Sequence, residues 1–244
     1  MAQSRKGRGP RSRNPVEPGT RGLYVRVKTA RGRKLSSTRW LERQLNDPFV
    51  RAANEGGYRS RSAYKLIELD DRFQFLRPGR RVLDLGAAPG AWTQVALERV
   101  FRDGQQGAVF ALDLQEMEPI DGATILKLDA QGEDALEKLH FTLGGPVDAV
   151  LSDMAAPAMG HTGTDHIRVM ALCEAAHDLA LHLLQPGGTL VVKVLQGGTE
   201  ASLLGQMKQA FSSVKHVKPK ASRADSAEIY VVAMGFRGEP KVTD

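Results

Sequence analysis

The chain has 244 residues, 41% of them apolar, and a formal net charge of +6; this is enough for one substantial core plus an extension, and too apolar for a chain disordered throughout. No apolar run reaches membrane-spanning length and the N-terminus has no apolar signal segment, so a soluble cytoplasmic protein without membrane contact is expected. Cys173 is the single cysteine, which excludes an internal disulfide and a cysteine-built zinc site.

The charge is unevenly placed. Residues 1–44 hold 13 Lys/Arg against Glu17 and Glu42, a net of +11, whereas the remaining 200 residues carry a net of −5. The chain therefore divides into a basic, flexible extension over 1–44 and a mildly acidic globular domain over 45–244. The run Arg5-Lys-Gly-Arg-Gly-Pro-Arg-Ser-Arg13 suits a polyanion, because phosphate contacts give affinity without sequence choice. RNA or ribosome contact is favoured over a solvated tail, and the scarcity of apolar anchors argues against a membrane surface.

In chain order, Ser36 or Ser37 can open a helix through Trp40 and Leu45, and Asp47-Pro48 should stop it. The pattern Ala63, Tyr64, Ile67, Leu69, Phe73 predicts a helix from Ser60 to Phe75, ended by Arg77-Pro-Gly79. A strand follows at 81–86, then a tight turn and a helix over 92–101. Strands are predicted at 108–114 and 124–128, a helix at 133–143, a strand at 147–152, and a long helix at 164–184 closed by Gln185-Pro-Gly-Gly188. A fifth strand spans 190–195, a helix 200–211, and two last strands 214–218 and 229–236. The β-α alternation predicts an α/β, Rossmann-like fold with a mostly parallel seven-stranded sheet and helices on both faces. The roughly ten residues joining the final two strands are too few for a parallel crossover, so the last strand should be antiparallel.

The turn Asp84-Leu-Gly-Ala-Ala-Pro-Gly-Ala-Trp92 is the most informative stretch. It lies at the carboxyl end of the first strand, where open α/β sheets bind ligands. It lacks the lysine of a phosphate loop and the flexible middle of a dinucleotide turn. A nucleoside without pyrophosphate, such as S-adenosylmethionine, fits better. Four acids close strands at this edge: Asp84, Asp113, Asp129 and Asp153. Asp113, 27 residues after Gly86, is placed to accept from a ribose diol, and Asp129 to reach an adenine amino group, although each taken singly is also an ordinary cap or loop residue. Trp92 either packs in the core or lines the cofactor pocket.

Lys193 interrupts Leu190-Val-Val-Lys-Val-Leu195, otherwise a buried strand. A buried ammonium needs a partner, and Asp153 is the natural neighbour. Burial and a nearby cation would favour the neutral amine, a usable base. Cys173 falls on the helical stripe Val169, Leu172, Cys173, Ala176, Leu179, Ala180, Leu183 and reads as a structural thiol. His161 and His166 lack a third ligand and belong to a polar loop rather than a metal site.

Asp84-Leu-Gly-Ala-Ala-Pro-Gly-Ala-Trp92, Ser152-Asp-Met-Ala155, Val191-Val-Lys193, Ser222-Arg-Ala-Asp-Ser-Ala-Glu228 and Ser60-Arg-Ser-Ala-Tyr-Lys-Leu66, in this arrangement over about residues 58–236, resemble the FtsJ/RrmJ family of S-adenosylmethionine-dependent RNA ribose 2′-O-methyltransferases. The nearest resemblance is to bacterial members that methylate a uridine in 23S rRNA of the large subunit. The resemblance implies a methyltransferase domain over 45–244 acting as a monomer on RNA, with no metal. It carries a Lys-Asp-Lys-Glu tetrad onto Lys65, Asp153, Lys193 and Glu228, and cofactor positions onto Gly90, Trp92, Asp113, Asp129 and Asp153. Without it, Lys65 and Glu228 would be taken for solvated surface residues. Lys65, Arg59 and Arg61 would line an RNA-facing groove. Two departures stand out: Ala91 replaces a glycine common in the family turn, and Met154-Ala-Ala-Pro157 holds one extra residue. Action on tRNA, and a non-catalytic RNA-binding role in ribosome assembly, are the competing readings.

Overall fold

The structure, a computed structural model, describes residues 25–27, 34–157, 160, 162–196, 201–224 and 226–238. Most of the basic N-terminal segment, His161 and Asp225 lie outside the described residues. The chain divides into two compact units, Met1–Tyr58 and Arg59–Asp244.

In the first unit, helix α1 spans Leu35–Leu45 and a second helix, α2, spans Pro48–Gly56. The Asp47-Pro48 pair does end α1, but it also starts α2, which the sequence pattern did not reveal. The Asp47 carboxylate caps the new helix by accepting from Phe49 N at 2.9 Å, and Pro48 sits in the first turn, where its missing N–H costs nothing. Asn46 bridges back to an earlier segment: its Oδ1 accepts from Val25 N at 2.8 Å and its Nδ2 donates to Val25 O at 2.9 Å.

The second unit holds α3 (Ala63–Phe73), β1 (Arg81–Leu85), α4 (Ala91–Val100), β2 (Ala108–Asp113), β3 (Ala123–Lys127), α5 (Ala135–Leu143), β4 (Val147–Ser152), α6 (Thr162–Leu183), β5 (Leu184–Leu195), α7 (Ala201–Ala210), β6 (Phe211–Val217) and β7 (Glu228–Phe236). The sheet order is β3-β2-β1-β4-β5-β7-β6. The first five strands pair in parallel, and β7 runs antiparallel to both neighbours. The expected reversal of the last strand is present, and its insertion between β5 and β6 is the topological feature that matters for the site. One boundary differs from expectation. Pairing of β5 with β4 begins already at Leu184 opposite Val147, then jumps to Thr189 opposite Ala149. The Pro-Gly-Gly segment is accommodated as an irregularity rather than as a loop before the strand.

Period-two alternation assigns the two faces of the sheet. Leu83, Leu85, Phe110, Leu112, Val150, Leu190, Val192, Val194, Val231 and Ala233 belong to one core cluster with residues of α5, α6 and α7. The opposite face carries the intervening residues, among them Asp84, Lys193 and Tyr230. There Asp84 meets Thr93 of α4, and α4 packs on α3. Lys193 therefore points away from the α6 core because its two neighbours, Val192 and Val194, point into it.

Candidate active site

The register brings the polar residues into line. Val191 pairs with Leu151 on one side and Val232 on the other. Two residues further toward the carboxyl edge, on the same face, come Asp153, just past the end of β4, then Lys193, then Tyr230, the cross-strand partner of Lys193. Glu228 starts β7 two residues before Tyr230, and so shares its face. Helix α3 supplies Lys65.

These side chains form one continuous chain of contacts. Lys65 Nζ lies 3.1 Å from Glu228 Oε2 and donates to the Tyr230 hydroxyl, also at 3.1 Å. The Tyr230 hydroxyl donates to Asp153 Oδ1 at 2.7 Å. Lys193 Nζ sits 3.1 Å from that same Oδ1 and donates to the Asp153 backbone carbonyl at 2.7 Å. Lys193 and Lys65 are largely buried, with side-chain exposures of 6% and 11%, while Glu228 keeps 33%. Two ammonium groups thus face two carboxylates at the carboxyl edge, which makes their burial tolerable. The four tetrad positions implied by sequence resemblance, Lys65, Asp153, Lys193 and Glu228, are all brought together. Tyr230, which joins the two ion pairs, is the member sequence reasoning missed. Its only sequence signal was the period of two from Glu228. Burial, and then the Asp153 and Glu228 charges, push its phenol well above the ordinary range, so it is neutral and retains its proton.

Trp92 lies under this cluster. Its ring centroid is 5.6 Å from that of Tyr230, at a tilt of 38°, and its Nε1 donates to Ser62 O at 2.9 Å. The residue is 2% exposed. Its visible contacts are packing and a tie between the start of α3 and the start of α4.

The glycine turn is shaped for close approach. Gly86 (φ +71°) and Gly90 (φ +107°) both hold backbone conformations that side chains rarely adopt. A Cβ on Gly90 would lie 2.5 Å from Ile120 Cδ1. Asp113 secures the turn: its Oδ2 accepts from Ala88 N and its Oδ1 from Gln115 N, both at 2.8 Å. Asp129, exposed at the next strand end, accepts from Gln131 N at 2.9 Å. Both carboxylates therefore make the local loop bonds expected of ordinary strand-end acids, and each oxygen retains a further lone pair for a hydroxyl or amino donor.

Asp84 behaves differently from the other three strand-end acids. It is fully buried inside the unit. Its Oδ2 accepts from the Thr93 hydroxyl at 2.7 Å, and its Oδ1 has no hydrogen-bond partner. Burial pushes its carboxyl up to about 7, opposed by the Thr93 bond and reinforced by Asp153 and Asp113.

Arg59 and Arg61 do not present open guanidinium groups. Arg59 donates to the carbonyls of Pro89, Glu118 and Pro119 at 3.0, 2.7 and 2.8 Å, clasping the loop after β2 to the glycine turn. Arg61 donates to Ala221 O. Cys173 is buried, donates to Lys193 O at 3.0 Å, and is pushed up to about 12 by burial, so it is an unreactive thiol supporting β5. Among the described residues no group of three or more His, Cys, Asp or Glu side chains is arranged to hold a metal ion, and His166 is half-buried on α6.

A family model for FtsJ-like methyltransferases matches residues 58–236. A protein of Cereibacter sphaeroides named ribosomal RNA large subunit methyltransferase E is 59% identical over 232 residues, covering 93% of this chain and 95% of that protein. A protein of the same name from Jannaschia sp. is 60% identical over 225 residues, with coverages of 90% and 95%. Among solved structures, a Plasmodium falciparum protein assigned as a ribosomal RNA methyltransferase is 32% identical with a TM-score of 0.66, covering 74% of this chain and 100% of that one. A chain of the fibrillarin/Nop5p complex, 19% identical with a TM-score of 0.50 over 73% of this chain and 85% of that one, shares the fold.

Proposed function

The chain belongs to the FtsJ-like methyltransferase family, and from that premise we propose that it methylates the 2′-oxygen of a ribose in RNA, a uridine of 23S rRNA in the large ribosomal subunit, using S-adenosylmethionine. The observation that carries the reading is the pairing of two buried lysines with Asp153 and Glu228 beside the glycine turn. We place the protein in the cytoplasm as a monomer. Among the described residues no helix is long and apolar enough to cross a membrane.

The residues present fit the cofactor. Gly86 and Gly90 hold the tight turn at positive φ, packed without room for a Cβ against Met154 and Ile120, and Asp113 is locked by Ala88 N and Gln115 N with lone pairs to spare for a ribose diol. Asp129 extends the same acidic edge toward an adenine amino group, and Asp153 closes it near the lysines. Trp92 backs the pocket by fixing the start of α4. When bound, S-adenosylmethionine supplies a methyl group on a sulfonium sulfur that leaves with the carbon–sulfur electron pair.

The chain's own task is to align and deprotonate a ribose hydroxyl, a poor nucleophile while it keeps its proton. Lys193, as the neutral amine, takes the 2′-hydroxyl proton. Asp153 orients it through the carboxylate and the backbone carbonyl. Lys65, held by Glu228 and Tyr230, offers its ammonium to steady the developing alkoxide. The basic N-terminal segment adds affinity for RNA phosphates.

The test is methyl transfer from labelled S-adenosylmethionine to hypomethylated large subunits, free 23S rRNA, 16S rRNA and tRNA, followed by nuclease mapping. Label at a ribose 2′-oxygen in large subunits, lost in Lys193→Ala with RNA binding retained, is expected. Label on tRNA alone would overturn the substrate. Normal activity in Lys193→Ala would overturn the base. Cofactor binding with no label on any RNA would favour an assembly factor.

A further inference from the structure

We propose that Tyr230 is a positioning residue for methyl transfer, which separates the two active-site lysines into a fixed cation and a base. The proposal rests on Lys193 as the general base. Its geometric basis is the single phenolic proton. That proton goes to Asp153 Oδ1 at 2.7 Å, so the hydroxyl can only accept from Lys65 at 3.1 Å. Lys65 is thereby held as a donor between two acceptors, Glu228 and Tyr230. Its ammonium lies 5.5 Å from the Tyr230 ring centroid, at the hydroxyl end of the ring, so the contact is made to the oxygen and not to the ring face.

Lys193 is placed differently. It faces the same Asp153 oxygen that Tyr230 already engages. A hydrogen bond donated to a carboxylate disperses part of its charge, so the Tyr230 bond weakens the hold of Asp153 on the Lys193 ammonium. The same bond holds Asp153 in its orienting rotamer. Among the described residues, the charged and titratable groups around this pair are Lys65 from α3, Asp153 at the end of β4, Glu228 from β7, Asp84 from β1, whose carboxyl senses the Asp153 charge, and the Cys173 thiol of α6 on the Lys193 carbonyl. Helix α4 contributes Trp92 and Thr93, which carry no charge. The Tyr230 hydroxyl touches a member of each ion pair, Lys65 and Asp153.

Tyr230→Phe keeps the ring against Trp92 and removes only the hydroxyl. Asp153 then binds the Lys193 ammonium more strongly. The acid limb of the kcat–pH profile should move up by about one pH unit, so that the rate on that limb falls about tenfold and recovers at alkaline pH. The KM for the cofactor should be unchanged. A second readout needs no turnover: in ¹³C-lysine-labelled protein, the Lys193 Cε signal, assigned by its loss in Lys193→Ala, should titrate at correspondingly higher pH. Should Tyr230→Phe not fold, 3-fluorotyrosine placed at position 230 decides the matter. Its more acidic phenol is a stronger donor, and the limb and the Cε titration should move to lower pH. A uniform loss of kcat at every pH with an unmoved Cε titration would overturn the role of Tyr230 while leaving Lys193 as base. Full activity in Lys193→Ala would instead overturn the base and this proposal with it.

Discussion

Asp84 offers the sharpest energetic test of the fold. Its carboxyl is fully buried, with one oxygen bonded to Thr93 and the other without a hydrogen-bond partner, and is raised from 3.8 to about 7. Between these values the unfolded chain has released the proton and the folded chain still holds it. Stability therefore falls as pH rises through this window. A shift of this size corresponds to roughly 4 kcal/mol of penalty once both states are ionised, of which about 2–3 kcal/mol develops between about pH 5 and about pH 8. Asp84→Asn is nearly isosteric with the protonated acid, and the Thr93 hydroxyl can donate to its carbonyl oxygen. The unpaired amide group costs the same at both pH values and cancels in the comparison. Urea denaturation of ligand-free wild type and Asp84→Asn at these two pH values should show the variant gaining about 2–3 kcal/mol relative to wild type on going to the higher pH. Parallel pH dependence of the two proteins would refute the reasoning and place Asp84 in an ionised state at neutral pH.

Gly90→Ala forces a side chain onto a residue at φ +107° and toward Ile120 Cδ1 at 2.5 Å, a strain of about 1–3 kcal/mol. Calorimetry should show loss of S-adenosylhomocysteine affinity by tenfold or more, with the far-ultraviolet circular dichroism preserved. Cys173→Ala removes a buried sulfur and its bond to Lys193 O; a loss of about 1–2 kcal/mol in denaturant unfolding is expected. In the folded wild type, the same thiol should resist alkylation at about pH 8 and react only on unfolding, because burial keeps it protonated.

Local pattern was sufficient for much of this protein. Alternation of apolar and polar residues marks the strands, because side-chain period follows from backbone geometry alone, and the glycine turn is legible because few residues tolerate its conformation. Lys193 was visible as a charge inside a strand too apolar to leave it unpartnered. The short connection before β7 announced its reversal. The helix α2 was hidden because Asp-Pro both ends one helix and caps the next, and a nine-residue segment has too few turns to show a period. What local pattern could not supply is adjacency. Lys65 and Glu228 are 163 positions apart, and resemblance, not residue chemistry, put them together. Only the insertion of β7 between β5 and β6 sets Tyr230 opposite Lys193. The four strand-end acids looked alike in the sequence. Packing of α4 over β1 buries Asp84, while Asp113, Asp129 and Asp153 remain at the carboxyl edge of the sheet. Strand formation depends on neighbours along the chain, whereas solvation and charge pairing depend on neighbours across it, and those are chosen when the sheet closes its order and the helices cover its faces.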